Sequence, residues 1–583
     1  MESSKENHSK SIGRRGFLKG VAVSTTGAIV AGASPYSGFS LAEAAGSKDA
    51  EDKAKSWKTP PAPIPDNKIS KTIETDVVIL GGGIAGVAAA RSAAENGVSV
   101  AVIEKQTEDK YAFFGNEIGT VNSKFVLDAG GDRIDPLEFY EEWQRRMGNR
   151  TNPRLVKQYV YNSGAACDWL IEALPDDFKK SLKVFGSPRP KYYTGKINGF
   201  RNWGCTVLFY TKGYSWTDAM KLVAAKARDL GAVFYYGTPA RQIIKEGNKV
   251  TGAIAEDAKG NYIKFTAKKG VLISCGDFSR NKEMVFDLMS EHLDPARDQL
   301  ENFRGMGRDG DGQKMGVWAG GRMERGPRAM MNTIDMVSLA GAFGKTAFLR
   351  MNGNGERYTN EASWASIAQG FRQPRGSLLC AVWDANWREE LEYQPLDHGS
   401  VEPKPKILNR LEKESNALIG TGANGGMVKG TVGGDEEEGG MPSKHYCADT
   451  LDELADYLGY KGQAKKNFLS TIERYNELAK KGVDEDFAKD PSLMHPIVKA
   501  PFFGTVTKND IAAGAMVTLA GLLIDENQRV LDNNDDPIPG LYATGNSSGG
   551  RYSADYITPI SGNSIGWAFT MGRIAGKYIA KSS

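Results

Sequence analysis

The chain has 583 residues, more than one hydrophobic core usually holds, so two or more domains are expected. Hydrophobic residues make up 40% and charged residues 25%, an ordinary globular composition, and 74 basic against 71 acidic side chains leave a net charge of +3. That near balance argues against a nucleic-acid surface, and five cysteines without a CxxC pair argue against c-type haem attachment, a zinc ribbon or a ferredoxin-like cluster.

The first segment reads as an address. Arg14-Arg15 is followed by a mildly apolar stretch over 20–33 and by small residues around 41–45. This is the pattern of a twin-arginine export signal over 1–45, recognised by the twin-arginine translocase. It places the mature protein on the periplasmic or extracytoplasmic face of a bacterial membrane. The apolar stretch is too short and too rich in Gly, Ser and Thr to span a bilayer. Residues 46–74 carry Pro60, Pro61, Pro63 and Pro65 and read as an extended linker.

A βαβ unit comes next. Residues 76–80, Asp-Val-Val-Ile-Leu, predict a buried parallel strand. The turn Gly81-x-Gly83-x-x-Gly86 opens an Ala-rich helix, and a second strand over 99–103 ends at Glu104. Each glycine has a mechanical role: a tight turn at Gly81, backbone approach to a pyrophosphate at Gly83, and close helix packing at Gly86. The helix amino end offers free N–H groups to phosphate, and Glu104 can accept the ribose hydroxyls. Near the carboxyl end, the run 539–546 is a strand entering a glycine turn, and Gly562-Asn563-Ser564-Ile565-Gly566 opens a final helix over 567–580. That helix start can stabilise negative charge on a reduced flavin, which favours FAD over NAD. The candidate cofactor residues are Gly81, Gly83, Ile84, Ala85, Gly86, Glu104, Lys105, Asn116, Gly276, Gly545, Asn546, Asn563, Ser564 and Ile565.

From Asp76 to its end the chain resembles the soluble fumarate reductase/flavocytochrome c group of the succinate dehydrogenase flavoprotein superfamily. The resemblance is carried by Gly81-x-Gly83-x-x-Gly86, by 271–281 (Val-Leu-Ile-Ser-Cys-Gly-Asp-Phe-Ser-Arg-Asn) and by Gly310-Asp-Gly312. Arg357-Tyr-Thr-Asn-Glu361, Arg474-Tyr-Asn-Glu-Leu478 and the turn 540–545 complete it. The group also includes urocanate reductases and 3-ketosteroid dehydrogenases. The fold it implies is α/β: a Rossmann-like FAD-binding domain in two parts, 75–325 and 505–583, with an inserted α+β capping domain over 326–504. Residues 105–125 contain no histidine, so the FAD is expected to be non-covalent. A Gly-rich stretch with nine glycines in 420–440 and an acidic core at 435–438 reads as a solvated loop or part of a lid, and 449–480 reads as amphipathic helix.

In fumarate reductases flavin N5 gives hydride to one alkene carbon and an arginine gives a proton to the other. The motif Asp384-x-x-x-Arg388 places Arg388 at that acid position, and Glu361 falls at the relay glutamate. Trp364 or a near neighbour replaces the relay arginine. The dicarboxylate clamps are also changed: Val517 stands where the family has a histidine, Asn332 stands near a second, and the carboxylate-binding arginine of the final loop is absent. Fumarate is therefore not the expected substrate. Asn332, Arg551 and Tyr552 are candidate substrate residues, and Tyr556 is a candidate catalytic group because a phenol there can polarise a conjugated carbonyl. His292, His398, His445 and His495 lack metal spacing and read as structural. The leading expectation is an exported reductase of an activated C=C bond, an enoate or enone, fed by a separate membrane-anchored cytochrome c or flavoprotein. A 3-ketosteroid-type dehydrogenase running the reverse chemistry and a non-catalytic flavin electron carrier remain open.

Overall fold

A computed structural model describes residues 56–582, apart from 187–189, 210, 212, 294–302, 333–340, 363–377, 396–399, 431–438, 441 and 509–513. The export segment, Trp364, His398 and the acidic core 435–438 lie outside the described residues. Residues 57–583 form one compact unit.

The strand Ile69–Leu80 forms because its last four residues, Val77, Val78, Ile79 and Leu80, are β-branched or aliphatic and wholly buried. It lies at the middle of a parallel sheet. On one side Val77 pairs with Val100 of Val100–Ile103, which pairs in turn with Val233–Tyr235. On the other, Val78 pairs with Val271 of Tyr262–Ile273, and Val271 pairs with Leu541 of Pro537–Ala543. An antiparallel hairpin, Ala240–Glu246 and Lys249–Glu256, joins through Tyr262–Ile273. The expected linker ends earlier than 74: the strand already begins at Ile69, and Trp57 is buried, with its indole N–H 2.9 Å from Asp287 Oδ2.

The helix Ile84–Glu95 is buried along ten of its residues, because it is covered by the helices Trp216–Asp229 and Asn563–Lys581 as well as by the sheet. The crossing with Asn563–Lys581 is close. A Cβ on Gly572 or Gly576 would lie 2.2 Å from the carbonyl oxygen of Ala85 or Ala89. The last helix of the chain is therefore locked against the first helix of the βαβ unit.

A second, antiparallel sheet runs in the order Leu349–Met351, Leu378–Trp383, Phe502–Lys508, Pro442–Ala448, Gly426–Lys429. The helices Leu451–Leu458 and Gly462–Lys481 close one of its hydrophobic clusters, matching the helical reading of 449–480. The expected boundary at 504/505 falls inside the strand Phe502–Lys508. Among the described residues no helix is long and apolar enough to cross a membrane.

Candidate active site

A cleft of about 1060 Å³ runs from the glycine turn to the edge of the second sheet. At its first end Gly81 has φ +93°, a conformation glycine adopts without steric cost. A Cβ on Gly86 would sit 2.0 Å from the Gly81 carbonyl oxygen, so only glycine lets the helix start this near the turn. No side chain caps this helix at Gly83, and none caps the C-terminal helix at Gly562. Elsewhere Ser215 and Thr450 cap their helices through their side chains. The helix Asp311–Trp318 also starts without a side-chain cap, at Gly310, and these three amino ends, whose first N–H groups lack intrahelical partners, all border the cleft.

Glu104 is buried at the end of its strand and accepts the amide N–H groups of Gly82 and Gln106, each at 2.7 Å. The Tyr111 hydroxyl donates to the Gly82 carbonyl. Glu104 thus braces the turn and also lines the cleft. Lys105 lines it too, 3.1 Å from Asp309 and 3.4 Å from Asp311. The loop bearing Asn116 is pinned by the Phe209 N–H, 2.7 Å from the Asn116 carbonyl. Gln313 bridges the carbonyls of Gly276 and Asn546 at 2.9 and 3.1 Å, tying together two more loops of the wall.

At the other end the wall is apolar through Met331, Met516, Val517 and Ile407, and charged through Lys345, Arg350 and Glu402. Tyr556 stands on this wall, with its hydroxyl 3.3 Å from the Ser564 N–H. Arg350 lies in the strand Leu349–Met351, where alternation sends Leu349 and Met351 into the hydrophobic core and Arg350 to the opposite face. It is 1% exposed. One nitrogen, Nη2, donates to the Thr346 carbonyl at 2.9 Å, while Nε and Nη1 have no partner among the described residues. Burial lowers its pKa, yet an arginine remains charged.

Several expected residues are elsewhere. Arg388 does not line the cleft: its side chain is 40% exposed and is held by Glu412 and by Asn409 Oδ1 at 2.9 Å. Trp387 takes the buried side of the short helix Trp387–Glu390, which turns the next residue to solvent. Glu361 is buried behind the cleft wall, its carboxylate gripped by Arg357 through two bonds of 2.9 Å and approached by Lys489 at 3.4 Å. Arg551 and Tyr552 are buried behind the lining: Arg551 donates to Asn546 Oδ1 and Tyr552 to Asn563 Oδ1. Gly86 and Asn563 likewise lie behind the lining and act through packing and hydrogen bonding. The Asn332 side chain is outside the described residues, though its backbone pairs with Ala515. Gly81, Gly83, Ile84, Ala85, Glu104, Lys105, Asn116, Gly276, Gly545, Asn546, Ser564 and Ile565 all border the cleft.

A family model described as an FAD binding domain matches residues 76–565. The chain belongs to that family. Within it, the chain is a member of the succinate dehydrogenase/fumarate reductase flavoprotein group. It is 23% identical to the vinyl phenol reductase of Lactiplantibacillus plantarum over 88% of this chain and 98% of the relative. It is 25% identical to the digoxin reductase of Eggerthella lenta over 98% of this chain and 97% of the relative. The solved 3-ketosteroid Δ4-(5α)-dehydrogenase of Rhodococcus jostii RHA1 shares the fold, with TM-score 0.63 and 21% identity over 90% of this chain and all of that one. This flavoprotein is an FAD-dependent oxidoreductase acting on a carbon–carbon bond, and FAD is its cofactor.

The residues present fit FAD. The glycine turn leaves open backbone where a pyrophosphate needs it, Glu104 stands at the ribose position, and a second uncapped helix start faces the same cleft. The sequence reading missed Arg350, Lys345, Glu402, Met331 and Met516. For Arg350 a signal existed: a lone charge alternating with apolar neighbours in Phe348-Leu349-Arg350-Met351.

Proposed function

We propose that this flavoprotein is an exported reductase of an activated C=C bond, an enoate or enone, and not of fumarate. The observation that carries the reading is the cleft in which the glycine cradle continues into an apolar chamber bearing Tyr556 and the buried cation Arg350. FAD, bound non-covalently and reduced, supplies the hydride. Gly81, Gly83 and the helix start at Ile84 would hold its pyrophosphate, and the start of Asn563–Lys581 would offer N–H groups to its reduced, negatively charged form. Tyr556 is placed to orient a polar oxygen of the substrate, and Met331, Met516 and Val517 exclude water around its apolar body. The inserted second sheet, with its helices, acts as the cap. The chain has no CxxCH segment, so a separate extracytoplasmic carrier delivers electrons. The twin-arginine segment supports export with the cofactor already bound.

The test is anaerobic stopped-flow reoxidation of the dithionite-reduced protein against unsaturated acids, enones, steroids and fumarate. Rapid reoxidation by an unsaturated acid or ketone, with fumarate slow, is expected. Reoxidation by none of them would overturn the reading, and bleaching of the oxidised protein by a saturated ketone would favour the dehydrogenase direction.

A further inference from the structure

Arg350 is a buried cation on the cleft wall, with Nε and Nη1 unpartnered among the described residues. Its surroundings establish this. The carboxylate that acts on it is Glu361, which receives the Arg350 backbone N–H at 3.3 Å. That carboxylate is already shared between Arg357 and Lys489, and Arg357 is in turn paired with Asp484 at 2.8 Å. The other carboxylate of this wall, Glu402, accepts the Gly186 N–H at 2.9 Å and pairs with Lys404 at 3.1 Å. Lys345 adds a second cation to the wall. A desolvated guanidinium with two nitrogens unpartnered destabilises the fold unless something pairs with it. The cleft is where such a partner can enter.

Resting on the reductase reading above, we infer that Arg350 is the specificity residue of this cleft and binds the carboxylate of a monoanionic, apolar-bodied enoate. Arg350 is the fully buried cation of this wall and anchors one carboxylate. The apolar lining, Met331, Met516 and Val517, offers the rest of the molecule apolar contact, which suits an aryl- or alkyl-substituted acrylate better than a dicarboxylate. The anchor comes from the strand Leu349–Met351 and not from the surface helix bearing Arg388.

The test uses the FAD-loaded, oxidised enzyme, so it needs no turnover. Binding of 3-phenylpropanoate, its methyl ester and 4-phenylbutan-2-one is followed by perturbation of the flavin absorption band. The probes are titrated into wild type, Arg350→Gln and Arg350→Lys, with FAD content measured for each. The expected result is a loss of acid affinity of about 10- to 100-fold in Arg350→Gln, partial recovery in Arg350→Lys, and ester binding unchanged. Equal acid affinity in wild type and Arg350→Gln overturns the inference, as does a wild type that binds the ester as well as the acid. An equal loss for ketone and acid overturns it in favour of a carbonyl site. If Arg350→Gln does not fold, Arg350→Lys decides: a several-fold loss of acid affinity with ester binding unchanged supports the anchor, and acid affinity equal to wild type overturns it. A wild type that binds the acid selectively while the reduced enzyme is reoxidised by no alkene would sink the reductase reading and leave the anchor standing.

Discussion

At the glycine turn the cleft is lined with backbone, and at the strand Leu349–Met351 it is lined with side chains brought together from distant segments. The first surface offers amide N–H groups at helix starts whose own N-cap side chains are absent, and Glu104, one of its carboxylates, braces the turn it borders. The second offers a charge, Arg350, with two nitrogens unpartnered among the described residues. A backbone site depends on where side chains are absent, so its requirement is written locally in glycines. A side-chain site depends on which face of an element turns inward, and tertiary packing decides that.

The sharpest way to break the first surface is to fill it. Gly86→Val places carbon where the Gly81 carbonyl already sits, and the expected outcome is protein with at least ten-fold less bound FAD, read from the ratio of 450 to 280 nm absorbance. A fully yellow variant would mean that the close approach is dispensable. The largest effect expected behind the second surface is on stability. Glu361→Ala leaves Arg357 and Lys489 short of a partner in a buried network, and a cost of about 3–5 kcal/mol is expected, seen as a fall in melting temperature.

Why one surface was legible and the other was not follows from particular residues. Gly81, Gly83, Gly86 and Glu104 follow one another along the chain within a βαβ unit, so strand, turn, helix and acid could be read in order. Tyr556 was reachable because it lies in the segment leading into the final helix. Arg388, expected at the acid position, lies outside the cleft lining, because a motif fixes spacing but not the side of a short helix that faces inward, and Trp387 takes the buried side. Glu361 was assigned to proton relay, but Lys489, which pairs with it, and Asp484, which shares Arg357 with it, lie more than 120 residues further along the chain and could not be paired from sequence. The parallel strands were readable as apolar runs, while the boundary at 504/505 fell in the strand Phe502–Lys508, which carries no break in composition.

A pH experiment sharpens the comparison more gently. Glu324 is buried beneath the cofactor side, where it accepts the N–H groups of Gly521 at 3.0 Å and Gly550 at 2.6 Å, and burial pushes its pKa up to about 7. Its folded value lies above the unfolded one of about 4.3, so the protonated form is favoured in the folded state. The contribution is therefore fullest below the unfolded value, falls as pH rises through about 7, and is flat above. Glu324→Gln is expected to flatten the decline in melting temperature between pH 5 and 8 relative to wild type, and an unchanged slope would assign it to other groups. The smallest effect belongs to Arg388→Ala. An exposed ion pair contributes about 0–1 kcal/mol, and turnover with the best alkene of the panel should change less than about two-fold. A hundred-fold loss would restore Arg388 to the chemistry.

The close crossing at Gly572 and Gly576 has a consequence for assembly in the cell. The helix Asn563–Lys581 supplies one of the amide-bearing helix starts at the cleft, and it is made after every other element that lines the cleft. While those residues are still inside the ribosome, the nascent chain holds an incomplete socket. Cofactor insertion must then wait until this helix has emerged, and in the proposed route that loading would come before the membrane is crossed.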